Sequence, residues 1–140
     1  MATAKLSSLN WTLKSLRKRE TFVAMDAVEE WYETILAKAS DEADEVVRSI
    51  LAATQRNENG CLVTPTKTPR KVRFQGGQDR AYRFVYCISN QLAPTSHQVV
   101  RHRCHNRRCV NPDHLELGDR YENLLDERER RANGIDWSLV

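Results

Sequence analysis

Apolar residues recur at helical spacing through the first third of the chain. Leu6, Leu9, Leu13 and Leu16 with Trp11 mark one amphipathic segment, and Phe22, Met25, Val28, Trp31, Tyr32, Ile35 and Leu36 mark a second. Val46, Val47, Ile50 and Leu51 mark a third. A repeat of three to four positions lays each stripe along one helix face. Ser40 or Asp41 stands where an N-cap belongs, and the acids from Asp41 to Glu45 suit the positive end of the third helix. These stripes predict core or a partner surface rather than a cofactor box.

From Cys61 the pattern shortens to strands. Residues 61–64, 71–75 and 80–83 read as extended, broken by Pro65, Pro69 and Gly76-Gly77. Residues 84–91 turn helical, and residues 99–103 read as a further strand. A Cys/His-rich loop then leads to a last helix. There Asp119 with Glu122 resembles an N-cap and partial capping box, Leu117, Tyr121, Leu124, Leu125 and Arg128 keep helical spacing, and Asn133-Gly134 offers a stop. The expected fold class is α+β, with N-terminal helices followed by a small antiparallel sheet. The expected units are a helical region over 1–58 for packing, dimerisation or DNA contact, a second unit over 59–134, and a tail over 135–140.

The net charge of +3 hides an asymmetry. Between residues 62 and 112 stand Lys67, Arg70, Lys71, Arg73, Arg80, Arg83, Arg101, Arg103, Arg107 and Arg108 against Asp79 alone, a local charge of +9. Unopposed arginine through strands is a footprint for nucleic-acid phosphate. Lys14, Arg17, Lys18 and Arg19 form a second basic cluster that could reach DNA. Residues 1–10 lack the apolar core of a signal peptide, and no stretch approaches transmembrane length. The expected setting is therefore a cytoplasm or a nucleus, with no secretion and no membrane partner.

Four cysteines in a reducing setting point to metal rather than to disulfides. Cys104, Cys109 and His114 follow one another with four residues between, offering three of the four ligands of a tetrahedral zinc site. For the fourth, Cys61 after Asn59-Gly60 is preferred to Cys87, which sits in the apolar run Arg83-Phe84-Val85-Tyr86-Cys87-Ile88. Zinc would also stabilise a region thin in core residues, since residues 67–77 are polar and turn-rich. His102, two positions before Cys104, is left over, and an imidazole titrating near neutrality is the usual base for activating water. Whether His102 and Cys104 share a face depends on whether the strand continues through them or turns. Asn123 sits in the first turns of the last helix without a propensity reason, and its amide oxygen is a hard ligand suited to Mg²⁺.

His102-x-Cys104-x4-Cys109-x4-His114-x8-Asn123 resembles the first zinc cluster and active site of His-Cys box homing endonucleases. Asn111 to Leu115 (Asn-Pro-Asp-His-Leu) and Gly118 through Glu122-Asn123 to Asp126 are similar to the phage HNH pattern, as are Gly60-Cys61-Leu62 and Arg80-Ala81-Tyr82-Arg83. The resemblance covers about residues 60–131. It implies a zinc-stapled ββα-metal (HNH, His-Me finger) motif in a DNA endonuclease of the phage or homing type. It further implies that His102 activates the hydrolytic water and Asn123 holds a single catalytic Mg²⁺ or similar ion. Cys61, Cys104, Cys109 and His114 would hold structural zinc. Arg80, ahead of Arg83, would meet the scissile phosphate, and Asn111 would brace the loop. Two departures stand out: the second zinc cluster of His-Cys box enzymes is absent, and many HNH enzymes carry His where Asn123 stands.

The expected partners are double-stranded DNA and a second copy of the chain in a homodimer. Arg70, Lys71, Arg73, Gln75, Arg83, Arg101, Arg103, Arg107 and Arg108 are the expected DNA contacts, with Arg70, Arg73 or Gln75 reading bases from a strand in the major groove. The alternatives are a zinc-stabilised DNA-binding module without catalysis, which needs neither His102 nor Asn123, and a partner-binding protein working through its N-terminal helices.

Overall fold

The computed structural model describes residues 26–140. The first amphipathic stripe, the Lys14 to Arg19 cluster, Phe22 and Met25 lie outside the described residues. Helix α1 (Ala27–Lys38) starts at Asp26, whose carboxylate accepts from the backbone N–H of Val28 at 2.8 Å and of Glu29 at 3.3 Å. Helix α2 (Ser40–Ala52) follows after one residue. Neither Ser40 nor Asp41 caps it: Ala39 ends α1 and begins α2 with no side-chain cap, because the connection is too short to hold a separate capping residue. Asp41 and Glu42 do occupy the first turn, where the helix end is positive.

Tyr32, Ile35, Ala43, Val47 and Ile50 turn inward from the two helices onto α3 (Ala81–Ser89), which buries Ala81, Phe84, Val85, Cys87 and Ile88. Trp31, Tyr32 and Phe74 gather around Phe84, with ring centroids 5.8–6.3 Å from it. The strands form three separate antiparallel ribbons. They are β1 (Gln55–Arg56) with β2 (Leu62–Val63), β3 (Lys71–Phe74) with β4 (Gly77–Arg80), and β5 (Gln98–His102) with β6 (Leu115–Asp119). Helix α4 (Arg120–Asn133) lies across the last ribbon. The chain is thus α+β, with small antiparallel sheets, and no helix among the described residues is long and apolar enough to cross a membrane.

The third strand differs from the expectation for 80–83. Gln75 (φ 48°) and Gly76 (φ 78°) both lie in the left-handed region, giving a two-residue hairpin turn of the type that requires positive φ at both central positions. The returning strand therefore begins at Gly77 and ends at Arg80, and helix α3 takes over at Ala81. Ala81, Phe84, Val85 and Ile88 stand at helical spacing, a signal already present in the sequence. Gly77 is needed for another reason, because a Cβ there would lie 2.6 Å from the Trp31 indole, whose Nε1 donates to the Phe74 carbonyl at 2.9 Å. Strand β6 was also not expected. Leu117, read as helical, belongs to it: Leu115 and Leu117 alternate with exposed Glu116, and the helix begins only after Asp119. The capping box is complete, since Glu122 N–H donates to Asp119 at 2.8 Å and Asp119 N–H to Glu122 at 3.1 Å.

Candidate metal centre and cleft

The zinc knuckle forms where two turns meet. Between β1 and β2 the Asn57 side chain accepts from the N–H groups of Asn59 and Cys61, both at 2.9 Å, and Gly60 takes φ 82°. That turn presents the Cys61 thiol inward. The opposing loop leaves β5 at His102, turns through Arg103-Cys104 and docks on β2, with Val110 N–H donating to the Leu62 carbonyl at 2.8 Å. Asn111 joins the two: its Nδ2 donates to the Gly60 carbonyl at 2.9 Å while its Oδ1 accepts from Asp113 N–H at 3.0 Å, capping the short 3-10 turn that carries His114.

Cys61, Cys104, Cys109 and His114 are all buried, and their ligand atoms lie within 4.8 Å of one another. His114 Nδ1 is 3.5 Å from the Cys61 sulfur and 3.7 Å from that of Cys109. A tetrahedral ion with bonds of about 2.0–2.3 Å sets its ligands roughly 3.5–3.8 Å apart, so the donor set fits structural zinc. Hydrogen bonding from Cys104 draws Cys109 down to about 5, its Cys109 contact and burial raise Cys104, and burial raises Cys61. Asn111 N–H points at the Cys109 sulfur at 3.4 Å, a partner suited to a thiolate. Cys87 is fully buried in α3, and burial pushes its thiol up to about 12.

His102 is not part of the cluster. Strand β5 ends on it, and the turn that follows sends Cys104 away, so the two side chains diverge. The imidazole rests against Tyr82 with centroids 4.2 Å apart, and its Nε2 lies 3.1 Å from the Cys109 carbonyl oxygen. A carbonyl only accepts, so Nε2 carries the hydrogen and Nδ1 keeps its lone pair. Burial holds the imidazole at about 4, lower than the near-neutral value expected, and hence uncharged at pH 7.

A cleft of about 580 Å³ opens beside this ring. Arg80, His102 and Asn123 all line it, with Tyr82, His105, Arg107, Arg120 and Arg130 among its other walls. Asn123 projects from the first turn of α4 and is exposed; its amide makes no side-chain hydrogen bond among the described residues. Asp126 and Glu127 also line the cleft beside this unpartnered neutral oxygen donor.

The other arginines divide. Lys71, Arg73 and Arg80 are exposed on one face of the β3–β4 ribbon, where Arg73 pairs across to Gln78 and Lys71 to Arg80, and Gln75 occupies the hairpin tip. Arg70 is half-buried at the base of the ribbon, and its carbonyl accepts from Ala81 N–H. Arg107 is exposed at the cleft. Arg83 faces inward, 3.2 Å from Asp79 and donating to the Thr95 carbonyl at 2.7 Å. Arg108 donates to the Thr64 carbonyl at 2.8 Å.

Arg101 is 8 % exposed, and three carboxylates surround it, with Glu122 and Asp126 of α4 each at 3.0 Å and Glu116 of β6 at 3.2 Å. Arg103 adds a 2.7 Å hydrogen bond to the other oxygen of Asp126. This lattice fastens the helix turn that bears Asn123 to the strand that bears His102. Gly118 makes room for it, since a Cβ there would meet Arg101 Cδ at 2.7 Å. Tyr82, Glu122 and Asp126 entered the sequence reading only as parts of motifs, and His105, Gln78 and Glu116 were given no role there. The Glu122 and Asp126 spacing, which returns to one helix face, is the signal that could have pointed to the two helix acids of the lattice.

Residues 76–131 match the family model described as the zinc-binding loop region of homing endonuclease. No curated protein and no solved structure matches the chain. The matched segment holds three of the four metal ligands, and the fold brings Cys61 to them from outside it. The chain therefore carries a zinc-binding module of the HNH, homing-endonuclease type.

Proposed function

We propose that this protein is a metal-dependent endonuclease that hydrolyses phosphodiester bonds in double-stranded DNA. The observation that carries the reading is that His102 and Asn123, from separate elements, line one cleft while the only free ring nitrogen of His102 is Nδ1. In this reading Nδ1 takes a proton from the attacking water as its oxygen bonds to phosphorus and the P–O3′ bond breaks. The Cys109 carbonyl holds the tautomer and shares the positive charge that the ring gains. A divalent ion such as Mg²⁺ on Asn123 supplies, when bound, the positive charge that offsets the phosphate and the departing oxygen. Arg80 at the cleft wall contacts the phosphate, with Arg107 beside it.

The exposed face of the β3–β4 ribbon is the proposed DNA contact, because a two-stranded ribbon fits the major groove. Lys71 and Arg73 would meet backbone or guanine, and Gln75 and Gln78 would read adenine. Arg70, Arg107 and Arg108 would add phosphate contacts at the base of the ribbon and the zinc loop. Arg83, Arg101 and Arg103 serve the reading by holding the site together rather than by touching DNA. Cutting both strands would take two copies, so a homodimer remains part of the proposal; sedimentation with and without DNA tests it.

The deciding experiment is supercoiled-plasmid digestion by zinc-loaded protein with and without added Mg²⁺, comparing the parent chain with His102→Ala and Asn123→Ala. Nicking or linearisation by the parent in Mg²⁺, lost in both variants while zinc content and DNA affinity persist, supports the reading. A parent that binds plasmid without cutting it supports the binding-module alternative instead.

A further inference from the structure

A second groove, of about 520 Å³, runs along the outer side of the zinc loop. Lys67, His105, Arg107 and Arg108 line it together with Asn57 and Asn59, and no carboxylate does. Trp137 also lines it and keeps 42 % of its surface exposed, one of the few large apolar side chains left open among the described residues. The tail that carries Trp137 is anchored rather than adrift. Asp136 caps the short 3-10 turn Trp137–Leu139 by accepting from Ser138 N–H at 3.0 Å, and Val140 packs on the buried cysteines. His105 and Arg107 also line the His102–Asn123 cleft, so the two depressions share these residues.

We infer that this groove is a subsite for a single-stranded segment of DNA continuous with the strand in the cleft. A cationic groove lined by no acid selects for phosphate, and an exposed indole on its wall offers a stacking platform suited to an unpaired base. The Asn59 amide on the wall can meet a base edge without demanding one sequence. A duplex would offer Trp137 no free base face. The groove therefore takes the frayed or displaced end that cleavage leaves, or an unpaired flank of the substrate. The inference rests on the nuclease reading for its purpose, though not for its binding chemistry.

The test measures fluorescence anisotropy of fluorescein-labelled oligothymidylate and of a blunt duplex against full-length protein, for the parent and for Trp137→Ala, Trp137→Phe and Lys67→Gln. Neither Trp137 nor Lys67 lines the catalytic cleft. Loss of the indole should weaken oligothymidylate binding about tenfold, with Phe restoring most of it, and should leave duplex affinity nearly unchanged. Lys67→Gln should flatten the salt dependence of single-strand binding by about 0.7 in log–log slope. Unchanged oligothymidylate binding in both Trp137→Ala and Lys67→Gln overturns the inference, and so does an equal loss on duplex and single strand. Should Trp137→Ala shed zinc, Trp137→Phe and Lys67→Gln decide the matter. Plasmid nicking by the parent is scored separately: single-strand binding through Trp137 without nicking sinks the nuclease and keeps the subsite, while nicking with a silent groove does the reverse.

Discussion

The zinc knuckle and the cleft meet at the loop from His102 to Cys109 and are opposite in character. In the knuckle every donor points inward, all four ligand side chains are buried, and second partners such as Asn57 and Asn111 are already engaged. In the cleft the key atoms are left without a partner: neither Nδ1 of His102 nor the amide of Asn123 makes a hydrogen bond among the described residues. A closed set of donors stores folding energy, whereas an open set can act on something that arrives. Cys109 belongs to both, giving its sulfur to the knuckle and its carbonyl to His102.

The largest effect should come from breaking the closed half. Cys109→Ser, or stripping zinc with a chelator, removes a site whose metal contributes on the order of 10 kcal/mol in comparable small modules. The expected result is loss of protection in the loops 57–64 and 103–114, read by hydrogen exchange, while helices α1–α3 keep their circular dichroism. Next in size is the open half. His102→Ala should lower the cleavage rate by roughly 10² to 10⁴-fold with the thermal midpoint and zinc content unchanged. A matching fall in stability would show that the imidazole is a structural member of the knuckle.

The lattice that joins the halves comes third. Asp126→Ala leaves the Arg101 guanidinium buried with one partner fewer and should cost about 2–3 kcal/mol in denaturant unfolding. If Arg101 positions Asn123, the same variant should raise the Mg²⁺ concentration needed for half-maximal cleavage more than it lowers the rate at saturating Mg²⁺; an equal effect on both would leave the lattice a stabilising role only.

The smallest effect lies farthest from the metal. Asp26→Ala should cost about 1 kcal/mol as a lost N-cap. Hydrogen bonding from Ser96 holds the Asp26 carboxyl at about 2, below its ordinary value near 4, so its contribution is complete above pH 4 and fades as pH falls towards 2. An acid titration of stability in parent and variant should therefore converge at the low end of that window.

Much of the local order was legible in the chain. The helical stripes of residues 28–36 and 46–51, the capping box of Asp119 and Glu122, and the Cys104, Cys109, His114 spacing each depend on neighbours a turn or less away, and local spacing carries them. The start of α3 was misplaced because two positive-φ residues, Gln75 and Gly76, shortened the hairpin that precedes it. Strand β6 was hidden because Leu117 fits a helical repeat as readily as an alternating one, and only pairing with Val100 decides between them.

What the sequence determined alone was the chemistry on offer: thiols and an imidazole at metal-ligand spacing, a leftover imidazole, an amide on a helix turn, and a basic stretch around them. Tertiary structure decided which of these groups are consumed and which stay free. Cys61 joins the knuckle from some forty residues away, and Arg83, Arg101 and Arg103 are drawn off the basic surface by carboxylates and a carbonyl. Charge and donor count are properties of composition, but whether a donor is satisfied depends on what the folded chain places within 3 Å of it.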